Sequence, residues 1–128
     1  MKSFGILHSL EVQVTSGSED LQLGINESYK LSIEGSSAGA VLKAETVFGA
    51  IYGLETFTQL VVNYHQVEEK PFVVRGVPVS IEDQPRFSWR GLLVDTGRHY
   101  YQVDFILHII DSLVANKMNV FQLSESII

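Results

Sequence analysis

Residues 90–123 carry a strand–helix–strand pattern that predicts a parallel pair of strands. The stretch RGLLVD (90–95) contains a continuous apolar run, which is typical of a strand buried on both faces. The amphipathic segment VDFILHIIDSLVANK (103–117) follows, and MNVFQL (118–123) has the pattern of the next buried strand. A helical crossover returns the chain in the same direction, so the two strands should be parallel. One such unit cannot close a sheet, because its strands expect neighbours on both sides.

The helix in this unit has an apolar stripe that should face the sheet. The stripe comprises Phe105, Ile106, Ile109, Ile110, Leu113 and Val114.

The first half of the chain has the shorter period of strands. Apolar and polar residues alternate in LEVQVTS (10–16) and in ESYKLSIEG (27–35), which predicts two half-buried antiparallel strands. AVLKA (40–44) is a short third strand. FVVRGVPVSI (72–81) is extended, but Pro78 limits it to an edge or irregular strand.

The segment ETVFGAIYGLETFTQLV (45–61) changes to a helical period. Gly49 and Gly53 lie four residues apart, and each glycine costs the helix about 1 kcal/mol relative to alanine. Their presence predicts that the helix packs closely against a sheet at these positions, because small residues let backbones approach. The predicted apolar face of the helix comprises Val47, Ile51, Leu54, Phe57 and Leu60 or Val61.

The turn-forming segment EDQPRFS (82–88) marks a boundary, since the residue before a proline is pushed out of a helix. Upstream, the polar connector NYHQVEEKP (63–71) leads into the extended segment 72–81. The sequence therefore predicts an α+β domain over residues 1–85 and the first unit of an α/β domain over residues 86–128.

Composition excludes several classes of partner. The net charge is −6 and no Lys/Arg run exists, which argues against nucleic acid. No apolar run approaches the ~20 residues of a membrane-spanning helix, and MKSFGILHSL at the start lacks the apolar core of a secretory signal. Cysteine is absent, so neither a disulfide nor a thiolate metal site is expected. The sequon Asn26-Glu27-Ser28 would carry a glycan only in the secretory pathway.

Parallel α/β sheets form their sites at the carboxyl ends of the strands. The first such end here is VDTGRHYY (94–101), which offers Asp95, Arg98, His99, Tyr100 and Tyr101. One interpretation is an ion pair between Asp95 and Arg98 that braces the loop, with His99 hydrogen-bonded beneath it. A metal site is less well supported, because no third ligand lies near Asp95 and His99 in the sequence.

Elsewhere, no Ser/His/Asp arrangement or metal signature stands out. Glu82 and Asp83 are adjacent on an extended segment, so their carboxylates should point to opposite faces and make a poor acid/base pair. His8, His65 and His108 are interpreted as structural or solvated.

Arg90 is the candidate binding residue. It opens the first strand of the α/β unit, in FSWRGLL, where its guanidinium could present a planar set of donors to sugar hydroxyls or a carboxylate. The alternative is a solvated arginine at the end of a strand.

Three stretches, in their order and spacing, resemble the β-N-acetylhexosaminidases of glycoside hydrolase family 20, and the plant members in particular. They are ETVFGAIYGLETFTQLV (45–61), PRFSWRGLLVDTGRHYY (85–101) and IIDSLVANKMNVF (109–121), within a match that runs from about Leu10 to Phe121. The resemblance implies that residues 1–85 belong to an accessory α+β domain, an antiparallel sheet with helices on one face. Residues 86–123 would then form the first strand, helix and second strand of a catalytic (β/α)8 barrel.

The resemblance also implies an activity that needs no cofactor. The family removes terminal non-reducing N-acetylglucosamine or N-acetylgalactosamine from glycans by substrate-assisted, retaining catalysis. The acetamido oxygen of the substrate attacks the anomeric carbon, an Asp orients the acetamido group, and the adjacent Glu acts as acid and then base. That Asp-Glu pair belongs to a later barrel strand, so no catalytic residue is assigned in this chain. Arg90 is aligned with the family arginine that binds hydroxyls of the sugar.

The chain departs from the family pattern at both ends. The family continues its second strand with His-Trp-His and an acidic pair, whereas QLSESII (122–128) stands here as a divergent tail. MKSFGILHS (1–9) does not follow the pattern, and Gly97 replaces the usual Ser. These departures predict a chain truncated at both ends.

Three hypotheses about function follow. The chain is a hexosaminidase by family; or it is a non-catalytic fragment, inert or associated with full-length subunits; or its accessory domain binds glycan or protein by itself. The parent family is secreted, vacuolar, lysosomal or extracellular, and the parent enzyme can form homodimers, whereas the location of this chain stays open.

Overall fold

The computed structural model describes residues 6–35, 39–63 and 72–124. The chain divides into two compact units, residues 1–85 (unit 1) and residues 86–128 (unit 2). The elements of unit 1 are β1 (Leu10–Val14), β2 (Tyr29–Ile33), β3 (Ala40–Ala44), α1 (Val47–Leu60), β4 (Val61–Asn63), β5 (Phe72–Val74) and β6 (Val79–Asp83). Those of unit 2 are β7 (Gly91–Asp95), α2 (Val103–Ala115) and β8 (Val120–Ser124).

Unit 1 contains a four-stranded sheet in the order β1-β3-β2-β6. Strand β2 is antiparallel to both β3 and β6, as the alternation predicted. Strand β1 is instead parallel to β3, from Leu10 opposite Ala40 to Val14 opposite Ala44, so the antiparallel prediction was wrong for this strand. Alternation reports which side of a strand is buried but not its direction, and residues 15–28 are long enough to carry the chain across the sheet.

The core of unit 1 lies between this sheet and α1. Alternate residues of β2 and β3 point towards the helix, and Leu31 and Leu42 are fully buried at 0% exposure. The other buried members are Tyr29, Ile33, Ala40, Ala44 and Ala50. The helix covers one face of the antiparallel strands β2 and β3, and the opposite face carries Lys30 and Lys43 at alternate positions.

Helix α1 packs through its glycines, which confirms the close approach predicted for them. A Cβ at Gly49 would clash with the Ser28 carbonyl oxygen, and one at Gly53 would clash with the Leu42 side chain. The predicted apolar face was wrong in part, because Ile51 and Leu54 are 44% and 38% exposed. The buried residues of the helix are its small ones, Gly49, Ala50 and Gly53, while Phe57 and Leu60 of the predicted face are partly buried against the same core.

The segment before the unit boundary is interrupted, as Pro78 predicted. Strand β5 pairs with β4 in a separate two-stranded antiparallel sheet that the sequence pattern did not reveal. The Val77–Pro78 peptide bond is cis and lies between β5 and β6, and β6 is an outer strand of the four-stranded sheet. Residues 64–71, most of the predicted polar connector, lie outside the described residues.

Unit 2 is the predicted strand–helix–strand unit. Strands β7 and β8 are parallel, from Gly91 opposite Val120 to Asp95 opposite Ser124, and α2 connects them. Val94 and Leu113 are buried, whereas Leu93 is 59% exposed, so β7 is not buried on both faces. One helix covers only one face of a two-stranded sheet. Part of the predicted α2 stripe is likewise exposed, namely Phe105, Ile110 and Val114.

Residues 122–124 belong to β8 and pair with Leu93, Val94 and Asp95, while residues 125–128 of the predicted tail lie outside the described ranges. Among the helices described, none has the length and apolar character needed to span a membrane.

Candidate functional site

The carboxyl ends of β7 and β8 form one joined edge in unit 2. Asp95 and Ser124 are register partners at this edge. Thr96 ties the following loop to β8, since its backbone N–H and its hydroxyl both donate to the Ser124 carbonyl oxygen, at 3.0 and 2.8 Å. The loop after β7 therefore starts from a fixed position.

Asp95 organises that loop. Its Oδ1 accepts hydrogen bonds from the backbone N–H groups of Gly97 and Arg98, at 3.0 and 3.2 Å. The Arg98 Nε lies 3.6 Å from Asp95 Oδ2, which confirms the predicted ion pair. Exposed pairs of this kind add little stability. The effect here is one of position, because the pair holds an Arg98 side chain that is 84% exposed over the carboxyl end of the strand.

The remaining side chains of the loop do not form the predicted arrangement. His99 is exposed, and the hydrogen bond expected beneath the loop is not among the contacts of the described residues. Tyr101 stacks on Phe105 with ring centroids 5.3 Å apart, and Tyr100 is 86% exposed. The loop thus presents a guanidinium and an aromatic surface side by side in sequence, two kinds of group that bind sugars well.

Arg90 lies at the opposite, amino end of β7. Its Nε donates to the Lys117 carbonyl oxygen at 2.7 Å, and its Nη1 donates to the Phe87 carbonyl oxygen at 2.6 Å. Its backbone N–H donates to Asn119 Oδ1 at 3.0 Å, while Asn119 Nδ2 donates to the Ser88 carbonyl oxygen at 2.8 Å. These bonds join the chain before β7 to the chain before β8.

The turn that Arg90 contacts ends α2. Lys117 has a φ of 53°, the left-handed conformation that often follows a helix. Its N–H donates to the Val114 carbonyl oxygen at 3.0 Å, and the Met118 N–H donates to the Leu113 carbonyl oxygen at 2.9 Å. The Arg90 guanidinium therefore links the turn that ends α2 to the start of β7.

The substrate contact predicted for Arg90 stays a prediction, but these contacts favour a structural role. Sites in parallel β/α folds form at the carboxyl ends of strands, and Arg90 is at the other end. Arg98 satisfies that rule and Arg90 does not. The sequence contained the signal, because strand direction alone distinguishes an arginine before GLLVD from one after it.

Other candidate groups are separated by the fold. Glu82 pairs with Lys30 at 2.9 Å, whereas Asp83 accepts a hydrogen bond from the Tyr29 hydroxyl at 2.8 Å. The two carboxylates face different partners, as predicted. His8 and His108 are exposed, and His65 lies outside the described residues. Within the described ranges, no group of three or more His, Cys, Asp or Glu residues is arranged to hold a metal ion.

An open depression on unit 1 lies between the ends of β2, β3 and β6. Its lining mixes two lysines, Lys30 and Lys43, with carboxylates such as Glu45 and Glu82. Tyr29 is its aromatic member and is 3% exposed, so the depression offers little surface on which a sugar ring could stack.

Two family models match the chain, and they fall on different units. Residues 2–60 match a model described as beta-acetyl hexosaminidase like, and residues 87–125 match the catalytic domain of glycosyl hydrolase family 20. The second match covers β7, α2 and β8 together with the Asp95 loop. Together the two matches span most of the chain.

Relatives support the same assignment. Beta-hexosaminidase subunit A1 of Dictyostelium discoideum is 51% identical over 110 residues, covering 86% of this chain and 20% of the relative. Beta-hexosaminidase 1 of Arabidopsis thaliana is 46% identical over 117 residues, covering 88% of this chain and 21% of the relative. The chain spans about a fifth of the length of these curated relatives.

Solved structures agree with the sequence comparisons. A chitobiase of Flavobacterium johnsoniae superposes with a TM-score of 0.72 at 38% identity, covering 89% of this chain and 16% of the other. A mutant beta-hexosaminidase of Streptomyces plicatus, in complex with the product GlcNAc, gives a TM-score of 0.66 at 27% identity, over 89% and 22% of the two chains. This chain belongs to glycoside hydrolase family 20, the family of the β-N-acetylhexosaminidases.

Proposed function

We propose that this chain is part of a β-N-acetylhexosaminidase that hydrolyses terminal, non-reducing N-acetylhexosamine residues of glycans. The observation that carries the proposal is the match of the family's catalytic domain to residues 87–125, a stretch that contains the joined carboxyl edge of β7 and β8. In this proposal, residues 1–85 belong to the accessory α+β domain. Residues 86–124 supply the first strand, helix and second strand of the barrel.

Arg98 is the substrate-binding arginine in this proposal, in place of Arg90. Its guanidinium is exposed at the carboxyl end of β7, and Asp95 fixes the backbone from which it projects. A planar guanidinium presents several directed donors, which suit adjacent hydroxyls of a pyranose. Arg90 supports the site from the amino end of the strand, because its side chain already donates to two backbone carbonyl oxygens.

The bond-breaking groups of this reaction come from outside residues 1–128 in our proposal. The substrate's acetamido oxygen attacks the anomeric carbon while a glutamic acid protonates the leaving oxygen, and an aspartate stabilises the acetamido group. Water then opens the cyclic intermediate, and the β configuration is retained. This chain contributes binding and orientation to those steps, which matter because positioning lowers the barrier only when the reacting atoms are held in place.

The alternative is that the 128-residue polypeptide is non-catalytic and associates with full-length subunits. The exposed apolar side chains of unit 2 are the surface that such a partner would cover, since Leu93 and Leu123 on β7 and β8 are 59% and 44% exposed. Apolar strand faces of this kind are usually covered in a folded barrel.

A chimaeric enzyme tests the first proposal. Residues 10–124 of this chain would replace the matching segment of the Dictyostelium subunit A1, and kcat/KM would be measured on a chromogenic N-acetylglucosaminide. We expect an active chimaera in which Arg98→Ala lowers kcat/KM roughly ten- to a hundredfold, the equivalent of losing about 1.5–3 kcal/mol of charged hydrogen bonds. Its melting temperature should change little, because the side chain is exposed.

Arg90→Ala in the same chimaera is the matched control. We expect it to lower the melting temperature and the yield of folded enzyme, while kcat/KM per folded molecule falls by less than for Arg98→Ala. The reverse pattern would restore Arg90 as the substrate contact. An inactive but folded parent chimaera would count against the proposed function itself.

The purified 128-residue polypeptide tests the alternative. We expect no turnover of the chromogenic substrate by the polypeptide alone. If it binds a full-length family member, size-exclusion chromatography should show co-elution. Hydrolysis of the substrate at a rate proportional to the amount of purified polypeptide would exclude the non-catalytic role.

A further inference from the structure

Asn26 lies in an exposed turn just before β2. It begins Asn26-Glu27-Ser28, the one Asn-X-Ser/Thr tripeptide formed by the chain's four asparagines. A tight turn precedes Asn26: the Ile25 N–H donates to the Gln22 carbonyl oxygen at 3.2 Å, and Gly24 within that turn has a φ of 84°. Neither the enzymatic site nor the core of unit 1 uses the Asn26 side chain.

The acceptor atoms of the tripeptide are held together. The Ser28 hydroxyl and backbone N–H both donate to Asn26 Oδ1, at 2.7 and 2.9 Å. The backbone carbonyl oxygen of Asn26 accepts a hydrogen bond from the Thr46 hydroxyl at 2.5 Å, which anchors the turn to the start of α1. Asn26 itself stays exposed, so a group attached to its side chain would leave the surface without displacing a buried residue.

The contact of the side-chain amide is compatible with substitution. Asn26 Nδ2 donates to Glu45 Oε2 at 2.6 Å, and the Glu45 side chain is also at the surface. Glycosylation replaces one of the two hydrogens on Nδ2, and the other can still donate to Glu45. The intervening Glu27 is buried at 8% exposure, so its side chain turns inward and does not crowd the outer face of the turn.

We propose that Asn26 is an N-glycosylation site. In the reaction, Nδ2 forms a bond to the anomeric carbon of an oligosaccharide held on a lipid pyrophosphate; the bond from that carbon to the phosphate oxygen breaks, and Nδ2 loses one proton. The proposal requires that the chain enter a compartment with this donor, a location that accompanies the proposed function. The modification itself does not depend on hydrolase activity, so its failure and that of the proposed function can be told apart.

The test uses the full chain fused to a cleavable endoplasmic-reticulum leader, translated in the presence of microsomes. Only protease-protected chains are analysed, so every molecule scored has been translocated. We expect a slower-migrating product that peptide N-glycosidase F converts to the faster form, with Asn26 converted to Asp in the peptide map. Ser28→Ala should abolish the shift while leaving Nδ2 and Glu45 in place.

A second variant guards against misfolding as the cause of a lost shift. Ser16→Asn, added to Ser28→Ala, creates an acceptor at residues 16–18, in an exposed loop where the Ser16 hydroxyl already accepts a hydrogen bond from the Ser18 N–H at 3.2 Å. An asparagine side chain can make the same turn contact. We expect the shift to return with the modification at position 16. A protected wild-type chain with unmodified Asn26 would overturn the proposal.

Discussion

Units 1 and 2 each pack one helix on a sheet, yet they bury very different amounts of apolar surface. In unit 1, α1 crosses a four-stranded sheet and seven hydrophobic residues form one buried cluster. In unit 2, α2 lies on two strands, and Val94 and Leu113 are its buried hydrophobic residues among those described. A sheet of two parallel strands with one helix leaves one strand face bare, whereas two more strands and close glycine contacts produce a core. The difference separates a unit able to hold itself together from one that needs neighbours.

Amide hydrogen exchange should show the largest difference between the units. We expect the amides of β2 and β3 to exchange roughly a thousandfold more slowly than those of β7 and β8, a gap of about 4 kcal/mol in opening free energy. The reason is that β2 and β3 lie beneath α1, whereas β7 and β8 open with little apolar surface to expose. Mass spectrometry of peptides across both units measures this gap. Equal protection in the two units would contradict the difference in stability inferred for them.

A core substitution in each unit should sharpen the contrast. Leu42→Ala removes a fully buried side chain from unit 1 and should lower the free energy of unfolding by about 2–5 kcal/mol. Leu93→Ala removes a side chain that is 59% exposed in unit 2 and should change stability by less than about 0.5 kcal/mol. Urea denaturation followed by circular dichroism gives both values. A large loss for Leu93→Ala would indicate that β7 is covered in solution.

Gly53→Ala tests whether the glycines of α1 set the depth of the unit 1 core. Alanine favours a helix over glycine by about 1 kcal/mol, so an unpacked position would be stabilised. Here the new methyl group would meet Leu42 and Tyr29, and overpacking should produce a net loss of about 1–2 kcal/mol. Gly17→Ala, where a Cβ meets nothing within 4 Å, is the control and should be close to neutral. Stabilisation by Gly53→Ala would contradict the packing described for this helix.

The helix caps should show the smallest difference. Thr46 caps α1, because its hydroxyl accepts a hydrogen bond from the Gly49 N–H at 3.2 Å, whereas Gln102 gives α2 no side-chain cap. Thr46→Ala removes this cap and also the hydrogen bond to the Asn26 carbonyl oxygen, so it should cost about 1–2 kcal/mol, and Gln102→Ser should stabilise α2 by up to about 1 kcal/mol. Thermal denaturation followed by far-ultraviolet circular dichroism compares the melting temperatures of both variants with that of the parent. A stabilised Thr46→Ala variant would show that the cap does not act as described.

The sequence predicted the elements better than their relations. Periods of two and of three to four located β2, β3 and both helices, because a half-buried strand or helix places its apolar residues at its own structural period. The direction of β1 depends on the chain between strands, and the face of α1 depends on how close its glycines come to Leu42. Neither property is local. The short pairing of β4 with β5 has too few residues to show a period at all.

The candidate site illustrates the same limit. The ion pair of Asp95 and Arg98 could be predicted, because the two partners are only three positions apart in one loop. The surroundings of Arg90 could not be read from its neighbours, since Lys117 and Asn119 reach it across 27 and 29 positions of sequence. Family resemblance supplied an arginine but not which end of the strand it occupies.

At Lys117, the cost of a left-handed backbone conformation is coupled to the hydrogen bond that the residue accepts from Arg90. A non-glycine residue in this conformation carries a cost of about 1–2 kcal/mol, and the hydrogen bond from Arg90 to the Lys117 carbonyl oxygen helps to offset it. Removing the arginine therefore leaves the left-handed turn without this hydrogen bond. A glycine at position 117 would relax the turn, so the same arginine loss should be milder in that background, and a double-mutant cycle would return a non-zero coupling energy.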